Sequence, residues 1–232
     1  MSNIYVFGCS HTEIFKEDAS DEYKRYKEYK GGVFPKTWSE LLSEKMGYNL
    51  INLGEGASGN EHIFHKVCKL SNQFTSDDIV IIEWSYMTRF RIVDANGDEW
   101  KNVSMEYEDE NISKETSRQI AINRSYDFFI EIIDDYENIL NRLSECIGFQ
   151  LYYWSVDYRI LNHKYKKEKE NKRYLDLDFV KDGDQIIFRK AKDMGGLEII
   201  YETDGLIEDY HNGEELHRLL SEIFYEEILK RQ

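Results

Sequence analysis

Four short apolar runs, Ile4–Phe7, Tyr48–Leu53, Ile79–Ile82 running on to Trp84, and Phe149–Trp154, constrain this chain more than any other feature. Runs rich in β-branched and aromatic residues, with little polar alternation, suit strands buried on both faces, as in a parallel sheet. The segments between them change to helical periodicity. Thr37 and Glu40 have capping-box spacing with Pro35 just upstream, and Trp38, Leu41, Leu42 and Met46 then share one face. Ser58 and Glu61 repeat that spacing and predict a helix through Leu70. A long helical pattern from about Ser117 to Ile147 carries Ile120, Phe128, Ile132, Ile133, Ile139 and Leu143, with a break near Tyr126. A closing helix is expected from about Gly213 to Lys230, apolar at Leu216, Leu219, Leu220, Ile223, Phe224 and Ile228. Strands alternating with helices at βαβ length predict a parallel sheet with helices on both faces. Functional residues of such sheets gather at the carboxyl ends of the strands. Here those ends read Gly8-Cys9-Ser10, Gly54-Glu55-Gly56, Trp84-Ser85 and Trp154-Ser155.

The rest of the chain is less regular. Lys16–Gly32 is polar and tyrosine-rich and reads as a surface excursion. Asn96-Gly97, between Phe90–Val93 and Trp100–Val103, is a hairpin signal. Ile186–Phe188 and Leu197–Tyr201 are candidate short strands, and Lys164–Arg173 is a charge run that suits a solvated face or loop. With 232 residues, 41% hydrophobic and 14% aromatic, the chain is expected to be one α/β domain over 1–232 with a few insertions. No stretch approaches the ~20 apolar residues of a membrane span. The opening MSNIYVFGCSHT lacks the basic start and long apolar middle of a signal peptide, so cytoplasmic residence is the expectation. A net charge of −15 counts against nucleic-acid binding, because an acidic surface repels phosphate backbones. The three cysteines, Cys9, Cys68 and Cys146, are too far apart to suggest a disulfide framework or a zinc motif.

Three segments carry chemistry. A serine hydroxyl is a poor nucleophile until a base takes its proton and a rigid backbone aims it. A strand running into Gly8-Cys9-Ser10 supplies the aim, although Ser10 could equally be a helix cap, and Cys9 is itself a candidate nucleophile. In Asn52-Leu53-Gly54-Glu55-Gly56-Ala57-Ser58-Gly59-Asn60, glycine lets a backbone N–H approach a developing oxyanion and Asn60 offers a side-chain donor. An ordinary glycine-rich βα loop would look the same. In Glu208-Asp209-Tyr210-His211, a carboxylate shortly before a histidine can hold the imidazole in the correct tautomer. His62 and His65, one helical turn apart, could ligate a metal together with His11, but the pattern fits surface histidines better.

Taken in order, these blocks resemble the SGNH (GDSL-like) hydrolase superfamily. IYVFGCSHT is similar to its serine block with Cys9 in place of aspartate, NLGEGASGN to its glycine block, and TDGLIEDYHNGEELHRLL to its terminal histidine block, including a second histidine, His217. The resemblance implies a three-layer α/β/α sandwich with a flavodoxin-like parallel sheet, and it leaves the regions around 86–125 and 156–200, after the third and fourth strands, as insertions without a match. It implies hydrolysis of an ester or acetyl group on a small molecule, glycan or lipid, with no metal or other cofactor. Ser10 would be the nucleophile, His211 the base, and Asp209 or Glu208 the carboxylate that orients it. The N–H groups of Ser10 and Gly56 would form the oxyanion hole, helped by Ser85 or Asn60.

Two departures bear on that implication. The family's asparagine block is expected after the third strand, where this chain has Glu83-Trp84-Ser85. A hydroxyl then stands in for an amide donor whose loss can cost ~10²–10³ in rate. Ser85 with a following Arg89 resembles phage and marine bacterial SGNH-like proteins of unassigned substrate, and Arg89 is a candidate contact for an anionic substrate. The strict spacing of the acid lands on Glu208, whereas the shorter one lands on Asp209. A catalytically silent scaffold for binding or assembly is the alternative that the missing asparagine motivates. A phosphate-handling flavodoxin-like domain is a third, although no GxxxxGK[ST] sequence is present.

Overall fold

Isoleucine, valine and aromatic side chains pack well on a pleated surface, and the four apolar runs form strands in the computed structural model. It describes residues 2–16, 21–93, 100–104, 126–157, 159–161, 163, 174–175, 179–182, 185–188 and 213–231. The strands are β1 (Asn3–Phe7), β2 (Asn49–Asn52), β3 (Ile79–Trp84) and β6 (Gln150–Ser155). They make one parallel sheet in the order β2-β1-β3-β6, with Ile4 level with Leu50 on one side and Ile79 on the other. The helices are α1 (Asp21–Tyr29), α2 (Trp38–Met46), α3 (Asn60–Leu70), α4 (Tyr126–Ile147) and α5 (Glu214–Leu229).

The two-residue period of a strand divides the sheet's side chains between two cores. Tyr5, Phe7, Val80, Ile82, Trp84, Leu151 and Tyr153 meet Ile63 and Val67 of α3 and Ile130, Ile133 and Leu140 of α4. Ile4, Val6, Ile79, Ile81, Tyr152 and Trp154 meet Trp38 and Leu42 of α2 and Leu220, Phe224 and Ile228 of α5. The result is the expected three-layer α/β/α sandwich. Trp38 anchors the second core, lying edge-on to Trp154 at 5.7 Å and to Phe224 at 4.8 Å. No helix among the described residues is long and apolar enough to cross a membrane.

The α2 cap follows the sequence reading: the Thr37 backbone N–H and hydroxyl both donate to the Glu40 carboxylate, at 2.8 and 2.9 Å. The helix stops at Gly47, whose φ of 68° suits a residue without a side chain. The start of α3 differs from expectation. Its N-cap is Gly59, one residue past Ser58, because the Ser58 hydroxyl is turned to His62 Nδ1 at 3.3 Å. The polar segment after residue 16 also differs: it contains α1, held by a buried Tyr26 that packs on Phe15 at 5.8 Å and accepts the Glu214 N–H through its hydroxyl at 3.1 Å.

In the first inserted region, β4 (Arg89–Val93) pairs antiparallel with β5 (Trp100–Ser104) as the hairpin signal predicts; the Asn96-Gly97 turn itself lies outside the described residues. In the second, β8 (Gln185–Phe188) covers the expected Ile186–Phe188 and pairs with β7 (Phe179–Asp182), which has no separate sequence signal. The Leu197–Tyr201 strand and the Lys164–Arg173 charge run lie outside the described residues, as does the part of the long helical pattern before Tyr126.

The chain leaves β1 for α2 on one face and leaves β2 for α3 on the other, so the strand order reverses between β1 and β3. Ligands of open α/β sheets bind at such a point, beyond the carboxyl ends of the two strands. Ser10 follows one of these ends and Ser85 the other.

Candidate active site

Ser10 sits in a tight turn just past β1, partly exposed between a buried Cys9 and a buried Thr12. The turn closes on one carbonyl: the Thr12 and Glu13 N–H groups both donate to Cys9 O, at 3.0 and 3.1 Å. Two glycines let backbone come this close. A methyl group on Gly8 would lie 2.5 Å from Glu83 Oε2, and one on Gly54 would lie 2.6 Å from Glu13 N. The side chain of Asn52, at the end of β2, fastens the same turn by donating to Thr12 O at 2.7 Å and Ser39 Oγ at 2.9 Å.

Beneath Ser10 lies a residue to which no sequence motif gives a role. Strand β3 is buried throughout, and its one charged residue, Glu83, is 0% exposed. Glu83 Oε1 accepts the Cys9 thiol at 2.8 Å, and Oε2 accepts the Thr12 hydroxyl. Burial raises its pKa to about 7, against the opposing pull of these hydrogen bonds and of Arg89. Burial, and then the neighbouring Glu83, push the Cys9 thiol up to about 12. With its side chain 0% exposed and its thiol donating to Glu83, Cys9 is held as an internal donor and is not presented to a substrate. The available signal was a single carboxylate inside an otherwise apolar strand, Ile-Val-Ile-Ile-Glu-Trp.

The expected oxyanion contributors are brought close to the same rim. The Ser85 N–H donates to Asn60 Oδ1 at 2.7 Å, and Asn60 Nδ2 donates back to Ser85 O at 3.1 Å. That exchange pins the end of β3 to the start of α3. Arg89 donates to Ser85 Oγ at 3.3 Å, and its guanidinium lies over the Tyr86 ring at 4.9 Å. The His11 ring meets Tyr86 edge-on at 6.2 Å, linking the Ser10 turn to this loop. Burial, foremost, raises the Tyr86 pKa well above the ordinary phenol value. The Gly56 N–H donates to Glu13 Oε2 at 2.8 Å, and Glu13 also pairs with Lys16 at 2.6 Å. In this conformation a carboxylate of the chain itself therefore occupies the expected Gly56 donor. Ala57, with a φ of 60°, turns the loop immediately after it.

The β6 end is knitted to the same loop. Buried Asp157 accepts the Met87 N–H at 3.0 Å and pairs with Arg159 Nη2 at 2.7 Å. His211, Asp209 and Glu208 lie outside the described residues. The second histidine of that block, His217, is buried on α5, and its Nδ1 accepts the Trp38 N–H at 3.1 Å. It thereby caps the amino end of α2. His62 is buried and His65 exposed, so the pair does not present one joint ligand face.

No family profile matches the chain, and no curated protein matches it. Among solved structures, a member of the lipolytic protein G-D-S-L family from Veillonella parvula DSM 2008 is similar to it, with a TM-score of 0.51 at 12% identity over 100% of both chains. A second, assigned only provisionally as a lipolytic protein of that family, from Desulfitobacterium hafniense DCB-2, has a TM-score of 0.47 at 15% identity over 97% of this chain and 98% of its own. The chain shares the three-layer α/β/α fold of the Veillonella parvula protein.

Proposed function

We propose that the chain is a serine hydrolase cleaving an ester or acetyl group on a small molecule, glycan or lipid. The observation that carries the reading is Ser10 itself: a partly exposed hydroxyl in a fastened turn at the switch point of a GDSL-like fold. Ser10 Oγ attacks the carbonyl carbon while His211 takes its proton. The tetrahedral intermediate collapses, and His211 returns the proton to the departing alcohol. Water then enters by the same route in reverse and releases the acid from Ser10. Asp209 or Glu208 holds the His211 ring. The Ser10 N–H and, once Glu13 has swung aside, the Gly56 N–H receive the oxyanion, with Ser85 or the remaining amide proton of Asn60 beside them. Arg89, stacked on Tyr86, is the contact for a negatively charged part of the substrate.

Hydrolysis of p-nitrophenyl acetate and covalent labelling by a fluorophosphonate test this reading. Both are expected in the wild type and lost in Ser10→Ala and His211→Ala. An unlabelled, folded wild type overturns it.

One observation favours a second reading, a catalytically silent scaffold for binding or assembly. Glu13 occupies the Gly56 N–H, and Asn60 is committed to the Ser85 backbone, so two expected oxyanion donors are engaged within the chain. Folded protein that neither labels nor hydrolyses is the result this reading predicts.

A further inference from the structure

An apolar side chain at position 83 would complete β3 as its neighbours do. A buried carboxylate there is tolerated only if its oxygens are satisfied. Both are, and the two donors that satisfy them, Cys9 and Thr12, enclose the Ser10-His11 pair. Cys9 Sγ reaches Oε1 at 2.8 Å, and the Thr12 hydroxyl reaches Oε2. Gly8 makes room for this descent, since a methyl group there would lie 2.5 Å from Oε2 and 2.8 Å from Glu83 Cβ. The Ser10 turn is thus drawn down onto the end of β3 by the two atoms of one side chain.

We propose that Glu83 is a positioning residue for Ser10, its two carboxylate oxygens gripping Cys9 and Thr12 on either side of the nucleophile. The proposal rests on Ser10 being that nucleophile. With Glu83 ionised, both neighbours donate; with it protonated, its own hydroxyl competes and one arm of the grip is lost. The charged and titratable groups facing it are Cys9 from the turn after β1 and Arg89 at the start of β4. Tyr86 lies beside them, with Asp157 from the end of β6 acting on Tyr86 in turn. Arg89 supplies the nearby positive charge without a direct ion pair to Glu83. A grip of this kind matters because a misplacement of about 1 Å in a reacting group can cost ~10²-fold in rate.

The test is the second-order rate of fluorophosphonate labelling of the full chain at pH 8, measured with the melting temperature for the wild type, Glu83→Gln, Cys9→Ala and Cys9→Ser. Glu83→Gln keeps the volume but has one acceptor oxygen in place of two. It is expected to label ~10-fold or more slowly while melting no earlier than the wild type, because a neutral amide is easier to bury than a carboxylate. Cys9→Ala is expected to slow labelling, and Cys9→Ser, which restores a donor to Oε1, to recover most of the rate. A purely structural Glu83 would give the opposite pairing: an earlier melt with an unchanged labelling rate for the folded fraction. Glu83→Gln labelling at the wild-type rate, with equal rates for the two Cys9 variants, overturns the proposal and leaves the Ser10 reading standing. A wild type that does not label overturns both.

Discussion

Replacing Glu83 with glutamine should change how stability responds to pH, and the size of the change follows from burial. In the folded chain the carboxyl titrates at about 7, against an ordinary value of 4.5. A pKa raised by folding means that the native state holds the proton more tightly than the unfolded chain. The stability this contributes is fully present below pH 4.5 and is lost as the pH rises through about 7. At ~1.4 kcal/mol for each tenfold change in proton affinity, the full contribution is ~3 kcal/mol, of which about 2 to 3 kcal/mol disappears between pH 5 and pH 8. The chain carries 45 acidic residues against 30 Lys and Arg, so its general electrostatics vary with pH as well. Urea unfolding of the wild type and Glu83→Gln side by side removes that common background. The stability difference should move in favour of the glutamine variant by about 2 to 3 kcal/mol from pH 5 to pH 8. A difference that stays constant across this range would refute both the sign and the burial argument behind it.

Other perturbations have definite expected outcomes. Gly8→Ala forces a methyl group against Glu83 and Thr12 and should lower stability by ~1–3 kcal/mol while slowing Ser10 labelling, read by urea unfolding and the fluorophosphonate rate. Trp38→Ala empties the aromatic centre between Trp154 and Phe224 and should destabilise the fold by ~3–5 kcal/mol, seen as an earlier urea midpoint. His217→Leu leaves the Trp38 N–H buried without its acceptor and should cost ~1–3 kcal/mol, measured in the same way. Arg89→Gln should raise KM for esters carrying a carboxylate or phosphate and leave KM for p-nitrophenyl acetate within ~2-fold, in steady-state kinetics.

The parts of this fold legible in the residues are those in which local pattern and tertiary environment agree. The β3 run is apolar because both of its faces are covered, and the Thr37–Glu40 spacing forms the cap it predicts. Helix α1 carries little apolar pattern because most of its side chains are polar. Its docking relies on Tyr26 meeting Phe15 and Glu214, the latter 188 positions away. The α3 cap moved to Gly59 because the Ser58 hydroxyl found His62 instead of a backbone N–H, a choice that spacing alone does not reveal. At the site, the glycines and Ser10 stood out by type and position. The deeper members did not, since Glu83 and Thr12 gain meaning only when β1 and β3 lie side by side. The Glu13 contact with Gly56 likewise joins two loops separated by 43 positions.

The most direct measurement is the separation of Ser10 Oγ from the His211 imidazole in an experimental structure of the full chain. A ring nitrogen is expected within hydrogen-bonding reach of Oγ, ~2.6–3.2 Å, or slightly farther before substrate binds. An imidazole on the opposite face of the sheet, with no other base beside Ser10, would contradict it.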